Sequence, residues 1–167
     1  MQLAAVESRA SHADLVKIGL SSNGWVPLQS VLMLAVVGLG VGVRGQWQSE
    51  TSFLIGALLF TVAAGIGIAG VRKLGANRTA RPEPKPGSEL IQHGIYRHLR
   101  HPLYASVILA GFGWALLWQS APALAAAMVQ AVFFDAKARR EERLLSEKFS
   151  EYAAYSAKTK RFLLWVY

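Results

Sequence analysis

The sequence contains no cysteine, which excludes a disulfide framework and any thiolate zinc site. Charge is scarce too. Only 17% of the 167 residues are Asp, Glu, Lys or Arg, against roughly a quarter in soluble domains. Acidic residues are the scarcer sign, 10 against 18 basic ones, so the formal net charge is +8. Disorder is excluded by the opposite feature, a hydrophobic content of 53%. No strand-embedded Gly-x-Gly-x-x-Gly occurs, so nothing points to a Rossmann dinucleotide site. A chain of this length is expected to form one domain. Being apolar yet basic leaves two classes: a nucleic-acid binder, or a membrane protein whose basic residues gather on one side.

The position of the charges decides between them. Residues 26–43 and 53–71 contain no Asp, Glu, Lys or Arg and are strongly apolar. As helices they measure roughly 27–29 Å, close to the ~30 Å hydrocarbon core. A third uncharged run covers residues 102–134, about 50 Å as a single helix and too long for one crossing. Gln119, Ser120, Ala121 and Pro122 interrupt it, and proline suits the first turn of a new helix. The pattern therefore predicts a tight helical hairpin, 103–119 and then 122 onward, its second arm running past Phe134 into charged sequence. The first apolar run starts only at residue 26 and lacks a cleavage pattern, so no cleaved signal peptide is expected.

These runs define an all-α, polytopic membrane protein with four transmembrane helices and a cytoplasmic C-terminal helix. The expected organisation is a single domain, 1–167. It comprises an N-terminal cytoplasmic segment (1–25), two spans (26–71), a cytoplasmic loop (72–102), the hairpin (103–134) and a cytoplasmic helix and tail (135–167). On this topology 17 of the 18 basic residues fall on one side, all but Arg44. The positive-inside rule makes that side cytoplasmic, with both termini on it; the expected location is a bacterial inner membrane. The positive charge then reads as topology and headgroup contact, not nucleic-acid binding.

The cytoplasmic segments hold the candidate chemistry, because the external connections are short. Residues 81–87, RPEPKPG, favour an extended, polyproline-like path or a plain linker. Three of the four histidines, His93, His98 and His101, then fall within nine residues, beside Tyr96, Tyr104, Arg97 and Arg100. They sit at the mouth of the third span, either as a site or as an interfacial anchor. A zinc site is not expected, since glycine and proline break the segment and no Cys or Asp lies near. Further on, residues 135–155 read as a helix. At 100° per residue, Phe134, Ala138, Glu141, Leu145, Phe149 and Tyr152 share one stripe, with Glu142 at its edge. A carboxylate on a buried stripe needs a partner, either an arginine or the hydroxyls of a ligand. Off that stripe the helix reads as a solvated face with ion pairs such as Arg143 with Glu147.

The segment GIYRHLRHPLY, residues 94–104, resembles the Gly-x-Tyr…Arg-His-Pro-x-Tyr motif of the isoprenylcysteine carboxyl methyltransferase family, whose superfamily includes phospholipid N-methyltransferases. The Glu141-Glu142 pair, Leu145, Phe149, Tyr152, Tyr155 and Arg161 are similar to that family's tail, and LGANRT (74–79) to the start of the same block. The resemblance covers about residues 70–165. It implies an integral-membrane methyltransferase using S-adenosylmethionine, with S-adenosylhomocysteine as product. By motif position, Gly94, Tyr96, Arg100, His101, Pro102 and Tyr104 would hold the cofactor, and Glu141 and Glu142 would engage its ribose or amino groups. Gly111 and Gly113 match a Gly-x-Gly of the phospholipid branch, or serve helix packing. Arg161 could orient an anionic acceptor, and His98 or His101 could serve as base for an amine. The acceptor is expected to be lipidic or small and apolar, with a carboxylate, amine or thiol to be methylated. A non-enzymatic membrane scaffold of the same fold is the alternative. The chain alone leaves the oligomeric state open.

Overall fold

The computed structural model describes residues 24–75, 79–83 and 86–162. Five α-helices follow in order: α1 (Trp25–Gly42), α2 (Glu50–Leu74), α3 (Pro102–Leu117), α4 (Ala121–Lys148) and α5 (Tyr152–Lys158). One 3-10 turn, Gly94–Arg97, precedes α3. Regular structure among the described residues is helical apart from one isolated parallel bridge between Leu99 and Lys160.

Three helices, α1, α2 and α4, are long and apolar enough to cross a membrane. Their side chains face outward as lipid-facing ones do: Leu34, Leu54, Leu58 and Val132 are more than half exposed. The expected third span is the 16-residue α3, roughly 24 Å long. It sits between α2 and α4 and also touches α1.

Local chemistry sets the ends. Ser49 caps α2 and Ser120 caps α4, each oxygen accepting from the amide three residues on. Pro102 and Pro122 stand in the first turns of α3 and α4, where a missing N–H costs nothing. Between α3 and α4 the chain turns within Trp118–Gln119–Ser120, with Gln119 at φ 52°. Gln119 exchanges hydrogen bonds with the Ser49 backbone, tying this turn to the α1–α2 connection.

Packing along α3 is close. A Cβ on Gly113 would lie 2.9 Å from the Gly56 carbonyl, and one on Gly56 would lie 2.7 Å from the Leu117 amide. A Cβ on Gly111 would press on Gln130 of α4 at 3.3 Å. The Gly-x-Gly pair thus serves helix packing, the small-residue contact that apolar surroundings favour.

α4 runs unbroken through Phe134 to Lys148, as its pattern predicts. The helix does not reach Tyr155, however. It stops at Phe149, which is extended at φ −120°, and α5 starts afresh at Tyr152. Tyr152 therefore meets the Glu141 stripe from a separate helix. On the charged surface Asp135 pairs with Arg139 and Glu83 with Arg140; among the described residues no ion pair joins Arg143 to Glu147. The expectations for residues 1–23, for Ala76, Asn77 and Arg78 of LGANRT, for Pro84 and Lys85 of RPEPKPG and for the end of the tail, 163–167, lie outside the described residues.

Candidate functional site

The charged end of the bundle is organised by the chain around His101. The 3-10 turn begins at Gly94, whose φ of +64° suits glycine; a Cβ there would also strike the Lys73 stem at 2.8 Å. After the turn, residues 98–101 run beside the tail. The Arg100 amide donates to the Lys160 carbonyl at 2.8 Å, and the His101 amide donates to the Arg161 carbonyl at 3.2 Å. This backbone zipper sets Arg161 beside His101, 60 residues away in sequence.

The side chains then meet on Glu142. Its Oε1 accepts from Arg100 Nε at 2.9 Å and from Arg161 Nε at 3.1 Å, and lies 3.2 Å from His101 Nε2. Its Oε2 accepts from Arg161 Nη2 at 2.7 Å, making the Arg161 contact two-pronged. Arg161 also donates to Asp135 Oδ1 at 3.0 Å. Burial alone would raise the Glu142 carboxyl. Hydrogen bonds from His101, Arg161 and Arg100 outweigh it and hold the group well below the usual carboxylate range. Glu142 lies two turns beyond the uncharged part of α4, outside the apolar crossing.

Glu141 faces differently. It accepts one short bond, from Tyr104 Oη at 2.6 Å, and its Oε2 stands 3.8 Å from His101 Nδ1. His101 is 5% exposed, lies between the two carboxylates, and stacks parallel on Tyr104 at 5.3 Å. The stripe argument placed Glu141 at the centre and Glu142 at the edge. The structure makes Glu142 the saturated carboxylate and leaves Glu141 lining a cleft.

That cleft is open to the outside, and its enclosed part measures about 90 Å³. Tyr96, Phe149, Tyr152 and Tyr155 supply aromatic walls, Glu141, Glu89 and Arg100 the charge, and Thr79 and Ile91 also line it. Tyr155 donates to the Tyr96 carbonyl at 2.8 Å, and burial pushes its hydroxyl up to about 12. Burial likewise raises the hydroxyls of Tyr96 and Tyr152. The Tyr152 oxygen is buried without a hydrogen-bond partner, on a residue that lines the cleft. Arg100 closes the corner by donating to the Ser156 carbonyl at 2.9 Å and to the Thr159 carbonyl, at the end of α5.

On the flank of α3 and α4 lies a second, apolar groove lined by Ala105, Ile108, Leu109, Phe112, Ala131 and Val132. Asp135 and Phe162 stand at its charged end, and Phe162 also contacts the His101 ring. Arg161 thus bridges the two regions, through Glu142 on one side and Asp135 on the other.

Of the residues singled out by sequence, Arg100, His101, Tyr104, Glu141, Glu142 and Arg161 converge, with Tyr96 on the cleft wall. Gly94 and Pro102 shape the backbone. His98 does not join them. It is exposed in a separate depression with Arg97, Glu151 and Lys158, and its carbonyl accepts from the Lys160 amide. Asp135 and Ile91 escaped the sequence reading because no motif or period marks them, and Thr79 fell within LGANRT without a role assigned to it.

A helical protein with membrane-spanning helices and a carboxylate–arginine–histidine cluster at one end is the class this geometry defines. Its family is settled by comparison. Residues 51–152, more than half of the chain, match the phospholipid methyltransferase family, and the chain belongs to that family. Two curated relatives are similar across it. The nickel-cobalt-cadmium resistance protein NccN of Alcaligenes xylosoxydans xylosoxydans is 27% identical over 83% of this chain. The cobalt-zinc-cadmium resistance protein CzcN of Cupriavidus metallidurans is 26% identical over 71% of it. The chain spans 62% of the length of each.

Proposed function

We propose that this protein is an S-adenosylmethionine-dependent membrane methyltransferase. Its acceptor is lipidic or small and apolar and is modified at the cytoplasmic face of a bacterial inner membrane. In this reading α3 crosses with α1, α2 and α4, giving four spans, with α3 and α4 as the tight hairpin and both termini cytoplasmic.

The observation that carries the reading is the aromatic cleft against the motif cluster. Its donor set fits the cofactor: flat aromatic walls suit a purine, and the Glu141 carboxylate can accept two ribose hydroxyl bonds. The unpartnered Tyr152 hydroxyl offers one contact more. When bound, S-adenosylmethionine supplies an electrophilic methyl group for in-line displacement by the acceptor. The residues do the rest. Tyr104 and His101 fix the Glu141 carboxylate from two sides. Glu142 fixes Arg100 and Arg161. The α3–α4 groove admits an apolar chain from the bilayer, and Arg161 at its end orients an anionic acceptor group. An amine acceptor must lose a proton; of the two candidate imidazoles, His101 lies within the cluster and His98 outside it.

The test is methyl transfer from tritiated S-adenosylmethionine to extracted membrane lipids and to prenylcysteine analogues. Label in an organic-soluble product, lost in Glu141→Ala, is the expected result. One observation favours a second reading, an accessory protein of metal resistance: both curated relatives bear resistance names. Among the described residues no three-ligand metal group occurs. If the second reading holds, His101→Ala and Glu141→Ala leave resistance in cells unchanged.

A further inference from the structure

Lys137 has no part in the proposed function, yet it is the most deeply buried charged residue described, with 0% exposure. Its ammonium donates to Gln29 Oε1 of α1 at 2.5 Å and to the Ala80 carbonyl at 2.7 Å. Both acceptors are neutral; the carboxylates whose charge acts on it, Glu141 and Glu83, do so without a direct contact. An ammonium held this way is costly to bury, and an apolar residue of similar volume is often as stable or more so. Fold stability alone therefore does not account for a lysine here.

Its contacts point to what it does. Nζ stands 5.3 Å over the Tyr104 ring, and the Tyr104 hydroxyl donates to Glu141. Ala80 follows Thr79, which lines the cleft. Gln29 belongs to α1, which precedes the family match at residue 51. Beside it, Trp25 of α1 packs on Phe133 at 5.4 Å. One ammonium thus touches the first helix, the loop wall of the cleft and the tyrosine that bonds the Glu141 carboxylate.

We infer that Lys137 is a positioning residue that locks α1 and the segment 79–83 against Tyr104, so that Thr79 and Glu141 keep their places in the cleft. α1 is then part of the site, although it lies outside the matched region. This inference rests on the cleft's being the cofactor site.

The experiment uses the full chain in detergent and the variants Lys137→Met and Gln29→Leu. Three quantities are read: the melting temperature, the S-adenosylmethionine dissociation constant, and hydrogen exchange over peptides covering residues 25–30 and 79–83. In Lys137→Met the melting temperature is expected to match or exceed that of the parent. Binding weakens about tenfold, and exchange quickens in both peptides. Gln29→Leu shifts binding and exchange the same way by less. Unchanged exchange and binding overturn the inference, and so does a loss of binding that only follows a fall in melting temperature. A folded parent protein that binds no S-adenosylmethionine sinks the cofactor reading alone. In that case exchange in Lys137→Met still decides whether Lys137 locks the two segments.

Discussion

Helix α3 meets its neighbours in two different ways. Along its middle and far end it lies against α2 with almost nothing between the backbones, glycine facing glycine at positions 56 and 113. At its start, His101 and Tyr104 face a cluster of ions and hydrogen bonds from α4 and the tail. The first contact works by removing side chains, the second by saturating them. The difference shows how a short, apolar helix can be held rigidly at one end while presenting chemistry at the other. A shape-based seam tolerates no added atom, whereas a charged corner tolerates no missing partner.

Substitutions can break this contrast. The largest effect is expected from Gly113→Val, because the added atoms would collide with the Gly56 carbonyl and the Phe60 amide, both backbone. The cost is on the order of 3 kcal/mol, read as a large drop in melting temperature in detergent. Glu142→Gln comes next at about 2–3 kcal/mol, since Arg100 and Arg161 lose their shared anion while staying largely buried. Tyr104→Phe removes one bond to a carboxylate and should cost about 1.5 kcal/mol, with cofactor binding weakened more than stability. The smallest effect, within about 0.5 kcal/mol, belongs to Arg139→Ala, whose pairing with Asp135 is largely exposed.

Acid sharpens the same contrast. The Glu142 carboxyl is lowered in the folded state, so its stabilisation is fully present above its ordinary value of 4.5. It is lost only as pH falls further, through the lowered value. The melting temperature should therefore stay flat from neutral pH to about pH 5 and fall below that, and Glu142→Gln should flatten the fall. A decline already between pH 7 and 6 would contradict this assignment.

Much of this was legible in the sequence, and the reasons differ by region. The helices were, because uncharged runs of this length have few other physical solutions; boundaries moved by one to three residues where Ser49, Ser120 and the prolines act as caps. Continuity of α4 through Phe134 followed from its period. The break at Phe149 did not, because the period persists across it and α5 resumes near the same stripe. Six site residues converged as the motifs imply. The ranking of Glu141 and Glu142 did not follow, because it depends on Arg161, which the Leu99–Lys160 bridge delivers from the tail. The burial of Lys137 was equally hidden, since in sequence it reads as one more member of a charged run.

The most direct test of the central claim is calorimetric binding of S-adenosylmethionine to the folded protein in detergent, compared with Glu141→Ala. Saturable binding by the parent, weakened about tenfold or more in a variant that melts at a similar temperature, is what the cleft predicts. Absence of binding by the folded parent, or equal binding by both proteins, would contradict it.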